Sequence, residues 1–316
     1  MPVQVIDEAL AVLCDRYIFA DKAAAAAGAI RARRDAGEYA GLSEDALATR
    51  LTAELFEVCS DRHLRVRVRE VDVQTALTEA EVDSAWLERL RLDNYGVARV
   101  ERLAGNVGYL DLRQVADADV GAPAIAAAMT LVAHTHALII DLRRCRGGAP
   151  NGVTFWNSYL FPDDETHLND IYYGATGQTR QFWSLAHLPG ERYLDRQVYV
   201  LTSDQTFSAG EEFCYNLKAQ GRATLVGQTT RGGAHPTEVF PLTPTLEITV
   251  PTARSINPVT GTNWEGTGVE PDVAVPADGA LTVAYRRALQ HVVTISTSNA
   301  VLTEARRALA EQPPAG

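Results

Sequence analysis

Apolar residues at the start of the chain recur at the spacing of a helix. Three such stretches occupy residues 3–59, and the second contains five consecutive alanines, the residue with the highest helix propensity. In the third stretch Leu51, Leu55 and Val58 fall on one face, as in a helix that buries a single side. We therefore predict a small helical N-terminal domain over residues 1–62.

The remaining residues, 63–316, combine strand and helix patterns. A short alternating strand follows His63, and residues 79–92 have the pattern of an amphipathic helix. Further predicted elements are strands at 107–112, 136–143 and 197–202, helices at 121–133 and 208–220, and two helices after Asp278. Such alternation is typical of an α/β domain, which we expect to end in these C-terminal helices.

One junction in this region carries candidate chemistry. The strand at 197–202 leads into Ser208 at the start of a helix, so Ser208 is a candidate nucleophile at the end of a sheet. The amide of Ala209 has no partner in the first helical turn and can donate to an oxyanion. The alternative is a capping box formed by Ser208 and Glu211. The nucleophile-elbow motif Gly-x-Ser-x-Gly is not met, since Thr206 takes the place of its first glycine.

A second junction supplies a further oxyanion candidate. The strand at 136–143 is followed by Gly147 and Gly148, which allow the backbone to approach a ligand closely. Gly148 is the preferred second oxyanion donor, with Gly147 less favoured. In the same loop Cys145 lies between two arginines, which predicts a lowered thiol pKa and a reactive sulfur.

Taken in order, these segments resemble peptidase family S41, which includes the C-terminal processing proteases, the tricorn core protease and the modules of interphotoreceptor retinoid-binding protein. The shared motifs are Asp61-Arg62-His63, Asp141-Leu142-Arg143 with Gly147-Gly148, residues 206–211, Gly227 with Gly232-Gly233, and residues 265–272. The resemblance covers most of the chain. It implies a crotonase/ClpP-like core of stacked βα units and a serine peptidase that forms an acyl-enzyme, with no metal or organic cofactor.

The family activates its serine in two ways. C-terminal processing proteases use a lysine in the glycine-rich turn, where this chain has Gly232, Gly233 and Ala234. Lys218 is the last lysine in the chain, and ten helical residues place it about 15 Å along the axis from Ser208. A serine–lysine dyad is therefore not expected.

The tricorn-like branch uses a histidine as base and a glutamate further downstream, and His63 and Glu265 stand at the matching positions. The resemblance thus implies a triad of Ser208, His63 and Glu265. That branch has a serine before its histidine, where this chain has Arg62. His235, in the glycine-rich turn, is the alternative base, because His63 begins an arginine-rich strand where a solvated structural role is also compatible.

Composition limits the classes of partner. The net charge of −11 disfavours nucleic acids and anionic membranes. No apolar segment has transmembrane length and the start lacks the basic region of a secretory signal, which predicts a cytoplasmic protein. The four cysteines are widely spaced, so the sequence indicates neither a zinc site nor a disulfide framework.

The spacing of the motifs bears on the substrate. About forty residues separate His63 from Val107, too few for the peptide-binding PDZ domain of the C-terminal processing proteases. Short peptides or small acyl compounds are therefore the expected substrates. The aromatic-rich residues 157–192 form a long insertion, predicted either as a binding wall or as packing. Two other functions stay open: a non-catalytic binding protein for an apolar small molecule, and an esterase or acyl transferase.

Overall fold

The computed structural model describes residues 2–69 and 79–312, which divide between two compact units. The first unit comprises Met1–Thr78, Asp170–Gln181 and Gly233–Ile256, and the second comprises Glu79–Asn169, Phe182–Gly232 and Asn257–Gly316. The helices are α1 (Pro2–Arg16), α2 (Ala20–Asp35), α3 (Glu44–Cys59), α4 (Glu79–Leu92), α5 (Ala118–Val132), α6 (Pro150–Ser158), α7 (Ala209–Ala219), α8 (Ala280–Ile295) and α9 (Asn299–Glu311). The strands are β1 (Arg65–Val68), β2 (Val97–Leu103), β3 (Val107–Leu112), β4 (Ala137–Asp141), β5 (His167–Tyr173), β6 (Gln178–Trp183), β7 (Gln197–Thr202), β8 (Thr224–Gly227), β9 (Thr237–Pro241), β10 (Leu246–Pro251), β11 (Ala253–Ile256) and β12 (Val273–Ala274).

The first unit buries the apolar faces of its helices against a small sheet. Strands β1, β10 and β9 form this sheet in that order with antiparallel pairing, and Val66 lies opposite Ile248. Leu10, Leu51 and Ile248 belong to one buried cluster contributed by α1, α3 and β10. The helical pattern of residues 3–59 therefore predicts the core of this unit correctly.

A second small sheet has the strand order β11-β5-β6. Strands β11 and β5 are antiparallel, and Ala253 pairs with Tyr173. Strands β5 and β6 fall within residues 157–192, the predicted insertion. Two strands therefore occupy part of the segment that was expected to be one long loop.

The second unit is built on a six-stranded sheet of order β12-β8-β7-β4-β3-β2. Its strands are parallel except for β2, which pairs antiparallel with β3 at the edge. Because all the parallel strands run the same way, the carboxyl ends of β4 and β7 meet at one edge of the sheet. The residues that follow these two strands, Leu142 onward and Ser203 onward, include the proposed oxyanion loop and nucleophile.

Both faces of this sheet are covered. Ile139 and Tyr199 pack with α8 and α9 in one buried cluster, whereas Leu138 and Ile140 point to the opposite face and are equally buried. The mixed α/β fold with a helical N-terminal region is thus confirmed. Strands β3 and β7 and helix α4 have the predicted bounds. Strand β2 was not predicted, because this edge strand carries three charged residues among seven and has exposed positions.

The compact units divide the chain differently from the predicted boundary between residues 62 and 63. The helices of the first unit need an apolar sheet to pack on, and β9 and β10 come from a segment about 180 residues later. The unit is therefore discontinuous in sequence, which a reading of local patterns does not detect. In the described part of the chain no helix is long and apolar enough to cross a membrane.

Arg222 joins Leu160 to the segment 193–196 within the second unit. Its guanidinium donates hydrogen bonds to the carbonyl oxygens of Leu160 (2.7 Å), Tyr193 (2.7 Å) and Arg196 (3.0 Å).

Three carbonyl groups would lose their donor in Arg222→Met, so we expect the free energy of unfolding to fall by about 3 kcal/mol. Denaturant unfolding measures this change. The exposed Arg306→Met is the control, expected to lie within about 0.5 kcal/mol of the natural protein; equal stability of the two variants would contradict the assignment.

Candidate active site

Ser208 has a strained backbone. It lies between β7 and α7 with φ +56° and ψ −124°, a region that side-chain-bearing residues rarely adopt. Ser208 is also the N-cap residue of α7, but N-cap residues normally have an extended backbone without this strain. Strain of this kind costs about 1–3 kcal/mol and is concentrated at functional sites. Capping alone therefore does not account for the conformation of Ser208.

The turn that carries Ser208 is bonded to the loop after β4. The Thr206 hydroxyl donates to the carbonyl oxygen of Leu142 (2.9 Å), and the Phe207 amide donates to that of Cys145 (3.0 Å). A Cβ atom on Gly147 would come within 2.7 Å of the Ser208 Cβ, so only glycine fits beside the serine. The two sheet-end loops of the second unit are thus in direct contact.

Glu211 holds the same turn from the other side. Its buried carboxylate accepts hydrogen bonds from the Ser208 amide (2.9 Å), the Thr230 hydroxyl (2.5 Å) and the Gly232 amide (2.6 Å). The Val269 amide in turn donates to the Thr230 hydroxyl (2.7 Å). The glutamate expected as a capping partner therefore also fixes the glycine-rich turn and the segment around Val269.

Two backbone amides in this region are available to a ligand. Within the described residues neither Gly148 nor Ala209 donates its amide to another group, although Ala149 next to Gly148 donates to the Val115 carbonyl. Gly148 is exposed and has φ +144°, and a Cβ there would lie 1.9 Å from that carbonyl oxygen. The Gly147 amide instead bonds to the Cys145 sulfur. This arrangement favours Gly148 over Gly147 as an oxyanion donor.

Cys145 is not the reactive thiol that its neighbouring arginines suggest. It is completely buried, and burial raises the pKa of its thiol to about 12, an effect that the Gly147 amide only partly opposes. The side chains of Arg144 and Arg146 do not reverse this, since both residues are exposed. The prediction of a reactive sulfur is therefore wrong, because desolvation outweighs the adjacent positive charges.

The first unit contains a buried carboxylate–imidazole pair. Asp61 Oδ2 lies 2.7 Å from His235 Nδ1, and the residues are 1% and 5% exposed. Tyr17 donates its hydroxyl to the same carboxylate (3.1 Å), and the Phe19 ring lies 5.2 Å from the imidazole. A carboxylate only accepts, so Nδ1 is the donor, and whenever the imidazole is neutral its lone pair resides on Nε2. This is the orientation that a general base requires.

Asp61 is held in its charged form. Burial by itself would raise the pKa of this carboxyl, but the hydrogen bond and charge of His235 and the amide of His63 outweigh burial and lower it. The role of Asp61 as an imidazole partner was not predicted. Its position in the motif Asp61-Arg62-His63 was the available signal, but the partner lies 174 residues away in sequence.

His63 and Arg62 lie beside this pair in the first unit. His63 is half-buried, its amide donates to Asp61 Oδ1 (3.0 Å), and its carbonyl accepts from the Thr249 hydroxyl (2.5 Å). The Arg62 guanidinium lies over the Phe56 ring at 5.1 Å. Asp61 therefore contacts both candidate bases, His235 through its ring and His63 through its backbone.

Glu265 belongs to the second unit, as do Ser208, Ala209 and Gly148. It is half-buried, and its amide donates to the Asn263 side chain (2.9 Å). The following Gly266 amide donates to the Gly232 carbonyl (3.1 Å), which joins this loop to the turn held by Glu211. The second unit thus brings the candidate nucleophile, both oxyanion candidates and the Glu265 loop into one framework, and both candidate bases belong to the first unit.

Comparison with known proteins assigns the chain to a family. The family model for Peptidase family S41 matches residues 106–275, and that for the N-terminal domain of Peptidase_S41 in eukaryotic IRBP matches residues 2–90. Both motif-bearing segments around Gly148 and Ser208 fall within the first match.

Solved structures share the fold. A lipoprotein from Streptococcus agalactiae is 14% identical with a TM-score of 0.58, covering 92% of this chain and 96% of that one. The tricorn protease is 12% identical with a TM-score of 0.55, covering 97% of this chain but only 36% of its own. Because the family model spans more than half of the sequence, the chain belongs to peptidase family S41 and is, by that membership, a serine-type peptidase.

Proposed function

We propose that this chain hydrolyses peptide bonds through an acyl-enzyme formed on Ser208. The observation that carries the proposal is the strained Ser208 between a parallel strand and a helix, next to a glycine loop. The unbonded amides of Gly148 and Ala209 support the same role, because an oxyanion hole needs two such donors. A serine that only caps a helix would require neither the strained backbone nor the unbonded amides.

The base in this proposal is His235, with Asp61 as its orienting partner. A general base needs a neutral imidazole whose second nitrogen is fixed by a carboxylate, and the Asp61–His235 pair supports this assignment. His63 with Glu265 is the competing assignment and rests on motif position. The proposal requires the imidazole Nε2 of one of them to reach the Ser208 hydroxyl in the reacting enzyme.

The steps follow from these roles. Ser208 Oγ attacks the carbonyl carbon as Nε2 of the base takes its proton, and the amides of Gly148 and Ala209 stabilise the resulting oxyanion. The tetrahedral intermediate collapses, the C–N bond breaks, and the imidazolium returns the proton to the departing amine. Water then attacks the ester on Ser208 with the same imidazole as base. The products are a carboxylic acid, an amine and the regenerated serine.

Short peptides are the proposed substrates, with esters or other small acyl compounds as the alternative for the same chemistry. Ester and amide substrates of matched acyl groups would separate these alternatives. A carrier for an apolar molecule would have no need of an activated serine. That function is therefore tested by the reactivity of Ser208.

Covalent labelling by a fluorophosphonate tests the nucleophile. We expect one adduct on the natural chain and none on Ser208→Ala, measured by intact mass. Ser203→Ala is the matched control, because Ser203 lies in the same turn and its hydroxyl donates to the Arg143 carbonyl (2.5 Å). That variant should label at the single site. A folded natural chain that forms no adduct would overturn the proposal and favour a binding protein.

Labelling rates of histidine variants test the base. We expect His235→Ala to slow labelling at least about 100-fold, because removing a base that acts in the transition state costs rates of this order. Asp61→Asn should slow it by a smaller factor. The exposed His134→Ala should leave the rate unchanged. Normal labelling in His235→Ala together with loss in His63→Ala and Glu265→Gln would give the base role to His63.

Substitution of Gly148 tests the oxyanion loop. A Cβ at this position meets the Val115 carbonyl at 1.9 Å and forces the loop to move. Gly148→Ala should therefore slow labelling by about 10²-fold or more, the loss expected when one oxyanion donor is displaced. Gly221→Ala is the control, since Gly221 also has positive φ but has open space around it. It should cost about 1 kcal/mol of stability and leave the labelling rate intact; equal rates in both variants would argue against Gly148 as a donor.

A further inference from the structure

A cavity of about 690 Å³ lies in the first unit. Three segments of the chain line it: the start of α1, residues 42–47 around the start of α3, and residues 242–246, which lead from β9 into β10. All three segments belong to the first unit. Cavities of about 300–1,000 Å³ are typical of sites for small organic ligands.

One part of the lining is apolar. Val5, Leu47 and Leu246 line the cavity, are at most 7% exposed and belong to the buried cluster of the unit. Leu42 and Leu242 also line the cavity, and they are partly buried side chains that pack against the same cluster. A ligand with an apolar body would remove the remaining exposed surface of these leucines from water, which favours binding.

The charged part of the lining is acidic. Glu8 of α1 and Glu44 of α3 line the cavity, and among the described residues that line it there is no lysine, arginine or histidine. Glu8 is exposed and has no hydrogen bond or ion pair with another residue in the described structure. Glu44 Oε2 accepts from the Thr245 hydroxyl (2.7 Å), a neutral donor that leaves the charge of the carboxylate without a cation.

Arginines on α2, α3 and β1 have carboxylate partners outside this lining. The pairs are Arg34 with Asp7, Arg50 with Glu38 and Glu54, and Arg67 with Glu247. Asp7 is adjacent to Glu8 in α1, but successive residues of a helix are about 100° apart around its axis, so the two carboxylates face different sides. The carboxylate of Glu8 is therefore available to a cation from outside the chain.

The start of α3 does not make the cavity a site for anions. Ser43 is the N-cap residue, and its hydroxyl accepts from the Ala46 amide (3.3 Å). Glu44 and Asp45 lie in the first turn, where their negative charges complement the positive end of the helix dipole. An anion in the cavity would therefore meet the carboxylates of Glu8 and Glu44.

We propose that this cavity binds a small amphipathic organic cation, with its apolar body against the leucine side chains and its ammonium group beside Glu8 and Glu44. Such a ligand matches both parts of the lining. A neutral apolar molecule would leave the two carboxylates without a counter-charge, and a metal ion would gain nothing from the leucines. The lining by three segments of one unit favours a small molecule over an extended peptide, and the site does not depend on Ser208.

Fluorescence titration with dansylcadaverine tests the ligand class. This probe joins an apolar naphthalene ring to a primary ammonium group, and its emission rises in apolar surroundings. Its N-acetyl derivative is the neutral control, and dansyl-6-aminohexanoate is an anionic control of similar length. We expect saturable binding of the amine at one site, with affinity about three- to fivefold higher than that of the neutral probe, the range expected for an exposed ion pair. The anionic probe should bind most weakly.

Three outcomes of this titration would overturn the proposal. The first is an absence of saturable binding of the amine at millimolar concentration. The second is equal or tighter binding of the neutral or anionic probe. The third is displacement of the amine by a lower concentration of a peptide of alternating leucine and lysine, which would replace the small molecule by a peptide partner.

Charge variants locate the ammonium group. Glu8→Gln keeps the shape of the side chain, so we expect it to weaken binding of the amine about threefold and to leave the neutral probe unaffected. Asp45→Asn is the matched control, because Asp45 is exposed and adjacent to Glu44 but does not line the cavity. It should bind the amine as the natural protein does. Equal losses in the two variants would indicate general attraction to an acidic surface and overturn the site.

A cavity-filling variant locates the apolar body. Gln4 lines the cavity from α1, is exposed and makes no hydrogen bond with another described residue, so Gln4→Trp should fold normally. We expect it to weaken binding of the amine at least about tenfold, because the indole occupies the place of the ligand. Ala11→Trp, at an exposed position of α1 outside the lining, is the control and should bind normally. Unchanged binding in folded Gln4→Trp would overturn the assignment to this cavity.

Discussion

The buried carboxylate of Glu211 is the interaction on which the second unit's site depends. It joins three parts of the chain that are distant in sequence: the amide of Ser208, the hydroxyl of Thr230 and the amide of Gly232. Charge-assisted hydrogen bonds of this kind are about twice as strong as neutral ones. A single side chain can therefore hold the positive φ of Ser208, a conformation that costs about 1–3 kcal/mol. A glutamate that only caps an ordinary helix start does not have to stabilise a residue with a strained backbone.

The glycines around the site have a related function. Gly147 and Gly148 allow the loop after β4 to contact Ser208 and the Val115 carbonyl at distances that exclude any side chain. The same loop leaves the Gly148 amide unbonded and directs the Gly147 amide to the Cys145 sulfur. Close packing thus leaves the Gly148 amide without an acceptor among the described residues, and backbone geometry alone produces this difference.

Local patterns were sufficient for most of the second unit's framework. The sequence motifs make Ser208, Gly148 and Glu265 candidates because each follows an apolar strand or lies in a polar loop of recognisable composition. The Asp61–His235 pair could not be found in this way, since its members are 174 residues apart and only folding joins them. The discontinuous first unit escaped prediction for the same reason. The prediction of a reactive Cys145 was wrong for a different reason. Its neighbours in sequence are arginines, but the sulfur is completely buried and both arginines are exposed.

Adjacent glutamates on α7 illustrate two ways of burying a carboxyl group. Glu211 is accompanied by donors from the protein itself, and these allow a charged group to remain in the interior. Glu212, one residue later, is equally buried, and burial raises the pKa of its carboxyl to about 8 although hydrogen bonding from Asn169 and Asn216 opposes the rise. Glu211 therefore serves as an acceptor for backbone amides, whereas burial favours the protonated form of Glu212. Both residues lie about one turn after Ser208, so the same turn of α7 combines a carboxylate held by protein donors with a carboxyl group whose charged form burial disfavours.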